Sequence, residues 1–275
     1  MTPVESPGGA SSFGPESTGN MVASACYVYG VVEVGVEPPP VCEGLGGSPV
    51  YLITQANLGA IVHDCRPRAY SSDDLGLVKD WVEAHNRVLD TFMQRYTVVP
   101  YTFNTIIHDK GSGDPEAVVR EWLAREASVL RTHIERLRGK AEYGIQILWD
   151  SAKAIEWLAE TDVEVQQAKK QVETSSPGAA YMYREKLQRI LRSKMETAAA
   201  TVCAQIISEV RESCCDIRVE KNKRPESGLI MIANWSCLVR ADQVEPLGEV
   251  LDRAAAKPGF QVRYTGPWPA YSFVG

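Results

Sequence analysis

Strand-like and helix-like hydrophobic patterns alternate through residues 25–139. Residues 26–32 are β-branched or aromatic and almost wholly apolar, which predicts a strand in the centre of a sheet. Residues 50–54 and 58–63 predict two more strands around a turn at Asn57. Serines and aspartates at residues 71–74 predict the start of a helix, because their side chains cap free backbone N–H groups. The apolar positions of this helix recur every three or four residues and predict one buried face: Leu75, Val78, Val82, His85, Leu89 and Phe92.

A proline-interrupted strand and a second helix complete this half. Residues 97–107 favour a strand, and Pro100 favours an edge position or a bulge because it has no N–H to donate. Asp114 and Pro115 predict a helix start. The opposite face of that helix is rich in arginine and glutamate, which is typical of a basic binding surface or, since the charges are mixed, of a solvated and ion-paired face. Gly139 ends the helix, and we place a domain boundary there. The apolar stripe comprises Val119, Leu123, Ala127, Leu130, Ile134 and Leu137.

Residues 140–265 predict a second α+β unit. A strand at 142–149 precedes a helix from Ser151 to about residue 172, and Ser176 with Pro177 restarts a long helix. Because the two predicted helices are consecutive and the second is long, we expect them to form a long helical hairpin. Alternating apolar residues at 215–219 and 229–239, a helix at 242–257 and a strand at 260–264 complete the order β-α-β-β-α-β, which is ferredoxin-like. The predicted fold is therefore α+β with two domains, 25–139 and 140–265, of which the second is ferredoxin-like.

The last ten residues, 266–275, predict an extended tail. Two prolines flank Trp268, so a helix cannot form there. The aromatic residues of the tail are too apolar for a free end, since each buries a large surface on docking. The tail docks either on its own chain or on a partner. Because it leaves the last predicted strand, we expect it to dock on the N-terminal domain and to clasp the two domains through Pro267, Trp268, Pro269, Tyr271 and Phe273.

Composition and charge narrow the class of protein. The chain of 275 residues has a formal net charge of −6, which argues against a nucleic-acid binder. No apolar run is long enough to span a bilayer, so we expect no membrane association. Residues 1–24 are rich in Gly, Ser, Pro and Thr and predict a disordered leader rather than a signal peptide, hence a cytoplasmic protein. Seven cysteines without regular spacing fit reduced thiols.

The sequence lacks the common catalytic and metal-binding motifs, including CxxC, HExxH and GxSxG. His85 lies on a buried stripe, where it is either a catalytic base or ligand, or a hydrogen-bonded core residue. Cys214 and Cys215 suggest a redox or soft-metal role, but adjacent strand residues point to opposite faces and chelate poorly. We therefore predict no catalytic, cofactor or metal site, and a protein that works through its surfaces.

Three segments carry a resemblance to a known family. They are the opening strand at residues 27–32, the pattern Pro100-x-x-Phe103-x-Thr105, and the terminal GPWPAYSFV at residues 266–274. Together they resemble the gas vesicle protein F/L family (GvpF/GvpL) from about residue 26 onward. Two positions depart from the family pattern: Asn104 stands where glycine is usual, and Ala270 where a third proline is common.

The resemblance implies a function as well as a fold. Members of the family have two α+β domains with ferredoxin-like character and no known catalytic activity. They are understood to bind the small hydrophobic shell protein (GvpA) and to help nucleate or assemble the gas vesicle shell. We therefore expect a non-enzymatic, cytoplasmic, gas-vesicle-associated protein that binds GvpA and other accessory proteins, needs no cofactor and is monomeric when isolated. The alternative is a ligand-binding regulator or enzyme on a ferredoxin-like fold, which a pocket converging on His85 and the cysteine pair would favour.

Overall fold

Two antiparallel sheets, one in each half of the chain, organise the fold. The computed structural model describes residues 25–35, 37–109, 113–225 and 228–274. The predicted leader, residues 1–24, lies outside the described residues. Within these ranges, no helix has both the length and the apolar composition needed to cross a bilayer.

The first sheet is built around a fully buried central strand. Its strands are β1 (Ala25–Glu33), β2 (Tyr51–Gln55), β3 (Leu58–Cys65), β4 (Val98–Pro100) and β5 (Ile106–His108). Strand β1 pairs with β3 on one side and with β4 and β5 on the other, while β2 pairs with β3. The apolar run therefore forms the predicted central strand, and the segment containing Pro100 lies at the predicted edge. A tight turn with positive φ at Ala56 and Asn57 joins β2 to β3.

Helix α1 (Leu75–Met93) and helix α2 (Pro115–Leu137) cover opposite faces of this sheet. Asp74 and Asp114 cap them through side-chain oxygens that accept backbone N–H groups, as the sequence predicts. The predicted α2 stripe is correct. The α1 stripe is wrong in its first half, where Leu75 is 81% exposed, because at this end the helix packs on the core through Trp81 and Ala84 instead.

The second sheet has the strand order β7–β8–β6–β9. Its strands are β6 (Lys140–Asp150), β7 (Asp216–Val219), β8 (Leu229–Arg240) and β9 (Phe260–Trp268). Helices α3 (Ser151–Thr161), α4 (Val163–Thr174) and α5 (Pro177–Ser213) connect β6 to β7, and α6 (Val244–Ala255) connects β8 to β9. The end of α5 and the apolar face of α6 pack on one face of the sheet.

Two predicted boundaries in this half are wrong. The helix expected from Ser151 to about residue 172 is two helices, because Asp162 leaves the helical conformation and caps α4 through the N–H groups of Glu164 and Val165. Strand β9 runs to Trp268 rather than residue 264, because a register shift at Gly266 lets Trp268 pair with Glu142.

The two halves share one core cluster. Phe273 and Ala270 from the chain end, and Leu238 from β8, pack among apolar residues of β1, β3 and α2. Leu238 points away from the α5–α6 face, so the first half and the chain end cover part of the other face of the second sheet.

Candidate functional sites: a carboxyl-terminal junction and an apolar groove

The chain end closes into a short turn instead of remaining extended. Tyr271 N–H donates to the Pro269 carbonyl at 2.8 Å, and Phe273 N–H donates to the Ala270 carbonyl at 3.1 Å. The result is a single 3-10 turn at Tyr271–Phe273. The extended conformation that the prolines impose ends at Pro269, because no proline follows it.

Phe273 anchors the turn in the shared core. Its side chain is 0% exposed. Arg136 of α2 donates from Nη1 to the Phe273 carbonyl at 3.2 Å and from Nη2 to the Asp216 carboxylate of β7 at 2.5 Å. One guanidinium therefore connects the first half, the chain end and the second sheet.

Ser272 fixes the same turn to the second sheet. Its N–H donates to one Glu142 carboxylate oxygen at 2.9 Å, and its hydroxyl donates to the other at 2.7 Å. The Ser236 hydroxyl lies 3.2 Å from the Ser272 hydroxyl. Glu142 is buried, so these bonds satisfy a carboxylate that has little access to water.

Tyr271 enters the first half and meets His85. Its hydroxyl lies 2.9 Å from His85 Nε2, and the Tyr27 hydroxyl lies 2.9 Å from His85 Nδ1. Tyr27 Oη also accepts the Asn104 N–H. Burial lowers the pKa of His85 to about 4. His85 is therefore a neutral, hydrogen-bonded core residue.

A second histidine pocket lies beside the first. His63 is fully buried, with Nδ1 2.8 Å from the Tyr29 hydroxyl and Nε2 3.0 Å from the Tyr70 hydroxyl. Burial lowers its pKa to about 4. Asn104 adopts a φ of 70° and bonds both backbone groups of Tyr70 through its side chain. Asparagine tolerates this left-handed conformation, which explains its presence where the F/L pattern usually has glycine.

The predicted tail residues divide into two groups. Tyr271 and Phe273 enter the first half, and Pro269 is buried beside them. Pro267 and Trp268 belong to the end of β9 and are exposed, Trp268 by 44%. Trp268 is therefore not a buried anchor of the chain end, whereas Phe273 is.

Several junction residues escaped sequence reasoning. Ser272, Glu142, Ser236 and Arg136 are ordinary polar residues in sequence, and Ser272 and Glu142 are 130 positions apart. The sequence offers no signal for Glu142, because it shares one side of β6 with Lys140, Gly144 and Gln146, while the apolar residues of the strand lie on the other side.

The paired cysteines do not act together. Cys214 contacts Cys237 of β8 rather than Cys215, and a thiol–thiol hydrogen bond from Cys237 lowers the pKa of Cys214. Cys215 is exposed. In the part of the chain that the structure describes, no group of three or more His, Cys, Asp or Glu residues is arranged to hold a metal ion. His85 lies against Tyr27 in the first half, whereas Cys214 packs against the core of the second sheet, so the two residues do not form a shared site.

A groove along α5 is the second candidate site. It has a volume of about 660 Å³ and lies between α5, the end of β6, α3 and the start of β8. Its α5 wall is formed mainly by Leu191, Met195, Ala199, Ala200 and Cys203. The facing wall is formed mainly by Ile155, Ile230, Met231 and Ile232.

The middle of α5 is unusual because its apolar residues are not buried. Between Ala180 and Ile206, no residue of this helix is buried. Near the start of the same helix, Tyr181 is 67% exposed and Met182 is 72% exposed. Since monomeric proteins rarely leave contiguous apolar surface open, the groove has the character of an interaction site.

Sequence comparison relates the chain to gas vesicle proteins. The model of the family "Gas vesicle synthesis protein GvpL/GvpF" matches residues 25–275. Gas vesicle protein L1 of Halobacterium salinarum is 27% identical over 262 residues, which cover 92% of this chain and 91% of that protein. Gas vesicle protein L of Streptomyces sp. is 25% identical over 264 residues, which cover 90% of this chain and 92% of that protein.

Solved structures show the same fold. GvpF from Anabaena sp. PCC7120 superposes with a TM-score of 0.74 at 17% identity, covering 92% of this chain and 98% of that one. GvpF from Microcystis aeruginosa superposes with a TM-score of 0.66 at 16% identity, covering 92% and 99%. The mixture of helices and antiparallel sheets is therefore common to all three chains.

Proposed function

Because the chain belongs to the family of gas vesicle synthesis proteins GvpL/GvpF, we propose that it is a non-enzymatic accessory or minor structural protein of gas vesicles. In this proposal it binds the small hydrophobic shell protein GvpA and assists nucleation or assembly of the shell. Other accessory proteins and a cytoplasmic location remain predictions. The family membership supports the gas vesicle role, and the α5 groove supports the mode of action.

The groove is the observation that carries the binding proposal. A shell subunit must hide apolar surface from water until it enters the shell, and an open apolar groove offers temporary cover. Burial of apolar surface contributes about 25 cal/mol per Å², so partial cover along a few helical turns gives useful affinity without permanent attachment. Release is then driven by the larger contact that the growing shell provides.

The junction supports a structural role for the chain end. We propose two domains, residues 25–139 and 140–265, of which the second is ferredoxin-like, and the strand order β7–β8–β6–β9 supports this division. The turn at Tyr271–Phe273 would hold their relative orientation through its bonds to His85 and Glu142. A fixed orientation keeps the groove at a constant position relative to the first domain.

The bond between Ser272 and Glu142 gives a direct test of this junction. Ser272→Ala is expected to lower the free energy of unfolding by about 1–2 kcal/mol, because a buried carboxylate loses a charged hydrogen bond. Urea unfolding monitored by fluorescence measures it. Ser193→Ala, an exposed serine of α5, is the control and should change stability by less than about 0.5 kcal/mol. Equal effects from the two substitutions would contradict the junction.

Co-purification tests the groove. Ala200 and Ala204 are both exposed residues of α5, but only Ala200 lines the groove. When tagged protein is co-expressed with GvpA, Ala200→Glu should reduce the retained GvpA at least about tenfold, since a buried charge at a docking surface costs well over 1.4 kcal/mol. Ala204→Glu is the matched control and should retain GvpA like the unmodified chain. Retention that is equal in the two variants argues against the groove as the binding surface.

A further inference from the structure

The α5 groove has a basic border in an acidic protein. Between residues 181 and 205, α5 carries five basic and two acidic side chains, a net charge of +3, whereas the whole chain has a formal net charge of −6. The segment after β7, residues 220–224, has one acidic residue, Glu220, and three exposed basic residues, Lys221, Lys223 and Arg224, a net charge of +2. The two elements therefore each carry a net positive formal charge beside one apolar surface.

The basic segment is held against the groove by specific bonds. Asn222 lines the groove, and its side-chain amide donates to the Met231 carbonyl at 3.0 Å. The Asn234 side chain donates to the Lys221 carbonyl at 3.0 Å. These contacts fix the backbone of residues 221–223 along β8, so the residues on either side of Asn222 are held at the border of the groove.

The charges of the groove itself cancel or are used elsewhere. Arg192 and Glu196 line it and form an ion pair at 3.1 Å. Lys194 is bound at 3.0 Å to both Asp162 and Glu164. Among the described residues, Lys221, Lys223 and Arg224 on the segment after β7 form no ion pair. These cations can therefore contact an acidic ligand.

The shape of the groove fits a helix. The α5 residues that line the groove run from Gln188 to Cys203, and the intervals between them alternate between three residues and one, so they lie on one face of the helix. At 1.5 Å per residue this seam is about 22 Å long, or about four helical turns. The same spacing forms the contact stripe of packed helices, in which side chains of one helix fill gaps in the other.

We propose that the groove binds an acidic amphipathic helix of about four turns, which lays its apolar face along α5 and its carboxylates beside Lys221, Lys223 and Arg224. This rests on the proposed function, because it names the class of segment that the same groove would take from its partner. Attraction across the border would guide and orient the helix, while apolar burial would supply most of the affinity.

Designed peptides test the charge preference with the full chain. Peptide A is an amphipathic helix with a leucine face and glutamates on the other face. Peptide B has the same leucines with lysines in place of the glutamates, and peptide C has the composition of A with the leucines spread around the helix. Fluorescence anisotropy should show A binding at least about tenfold more tightly than B, with C not binding, and the A–B difference should shrink in high salt.

Variants locate the effect. The triple substitution Lys221→Glu, Lys223→Glu, Arg224→Glu should reverse the order of A and B, Ala200→Glu should weaken both, and Ala204→Glu should change neither. Equal binding of A and B, no binding of A, or a triple variant that keeps the original order would overturn the proposal. A dimer of the free protein that Ala200→Glu dissociates would also overturn it, since a second copy would then cover the groove.

The peptide and co-purification results separate the two proposals. If peptide A fails to bind but GvpA is retained in a manner sensitive to Ala200→Glu, the acidic-helix inference is wrong and the proposed function stands. If peptide A binds as expected but GvpA is not retained, the proposed function is wrong and the acidic-helix specificity of the groove is upheld.

Discussion

Replacing Phe273 by alanine is expected to lower the free energy of unfolding by about 3–5 kcal/mol, the usual cost of removing a fully buried aromatic side chain. Phe273 is 0% exposed and packs among residues of β1, α2 and β8, so the cavity would lie where the two halves meet. Urea unfolding followed by circular dichroism measures the change. A second readout is amide hydrogen exchange, which should rise in both halves around the junction.

The same tail contains its own control. Trp268 is a larger aromatic residue but is 44% exposed, and Trp268→Ala should cost far less, about 1 kcal/mol or below. A Phe273→Ala protein as stable as the unmodified chain, or a Trp268→Ala protein that is equally destabilised, would contradict the position of the chain end described above.

Acidification is the second large expected effect. His63 and His85 are buried and neutral, and burial lowers the pKa of each from 6.5 to about 4. Well above pH 6.5 both are neutral in the folded and the unfolded chain, so their contribution to stability does not change. Below that pH the two histidines bind protons in the unfolded chain but not in the folded chain. The free energy of unfolding therefore falls until about pH 4. Each histidine accounts for about 3 kcal/mol over this window.

Variants separate this effect from the titration of carboxylates. Unfolding free energies at pH 7, 6, 5 and 4.5 should fall less steeply for His85→Gln than for the unmodified protein. His108→Gln, at an exposed position, is the control substitution. The buried-histidine explanation fails if stability is constant between pH 7 and 4.5, or if all three proteins share one slope.

The sequence predicts best those elements whose residues repeat a simple local rule. The α2 stripe from Val119 to Leu137 is complete, so its buried face is correct, and Asp114 caps it as expected. The apolar run of β1 likewise identifies the central strand, because covering both faces requires apolar residues at every position. Asp162 is a helix boundary for the same local reason, because its side chain caps the helix that follows it.

The sequence does not predict features that depend on contacts between residues far apart in the chain. The exposure of Leu75 depends on which residues of α1 pack on the core at that end of the helix, which no periodicity reveals. The tail was recognised as a docking segment, but its true anchors include Ser272, whose partner Glu142 lies in another element. The groove was missed because the apolar residues of α5 face several directions, and only the packing of α3 and β8 shows which of them stay open.

Site-specific cross-linking tests the central claim, that the α5 groove binds the shell protein, most directly. A photo-reactive phenylalanine analogue is placed at position 200 or, as the control, at position 204 of the full chain co-expressed with GvpA. After irradiation, mass spectrometry should find a GvpA adduct at position 200 and little or none at position 204. Adducts in equal amount at both positions, or no GvpA adduct at position 200, would contradict the account.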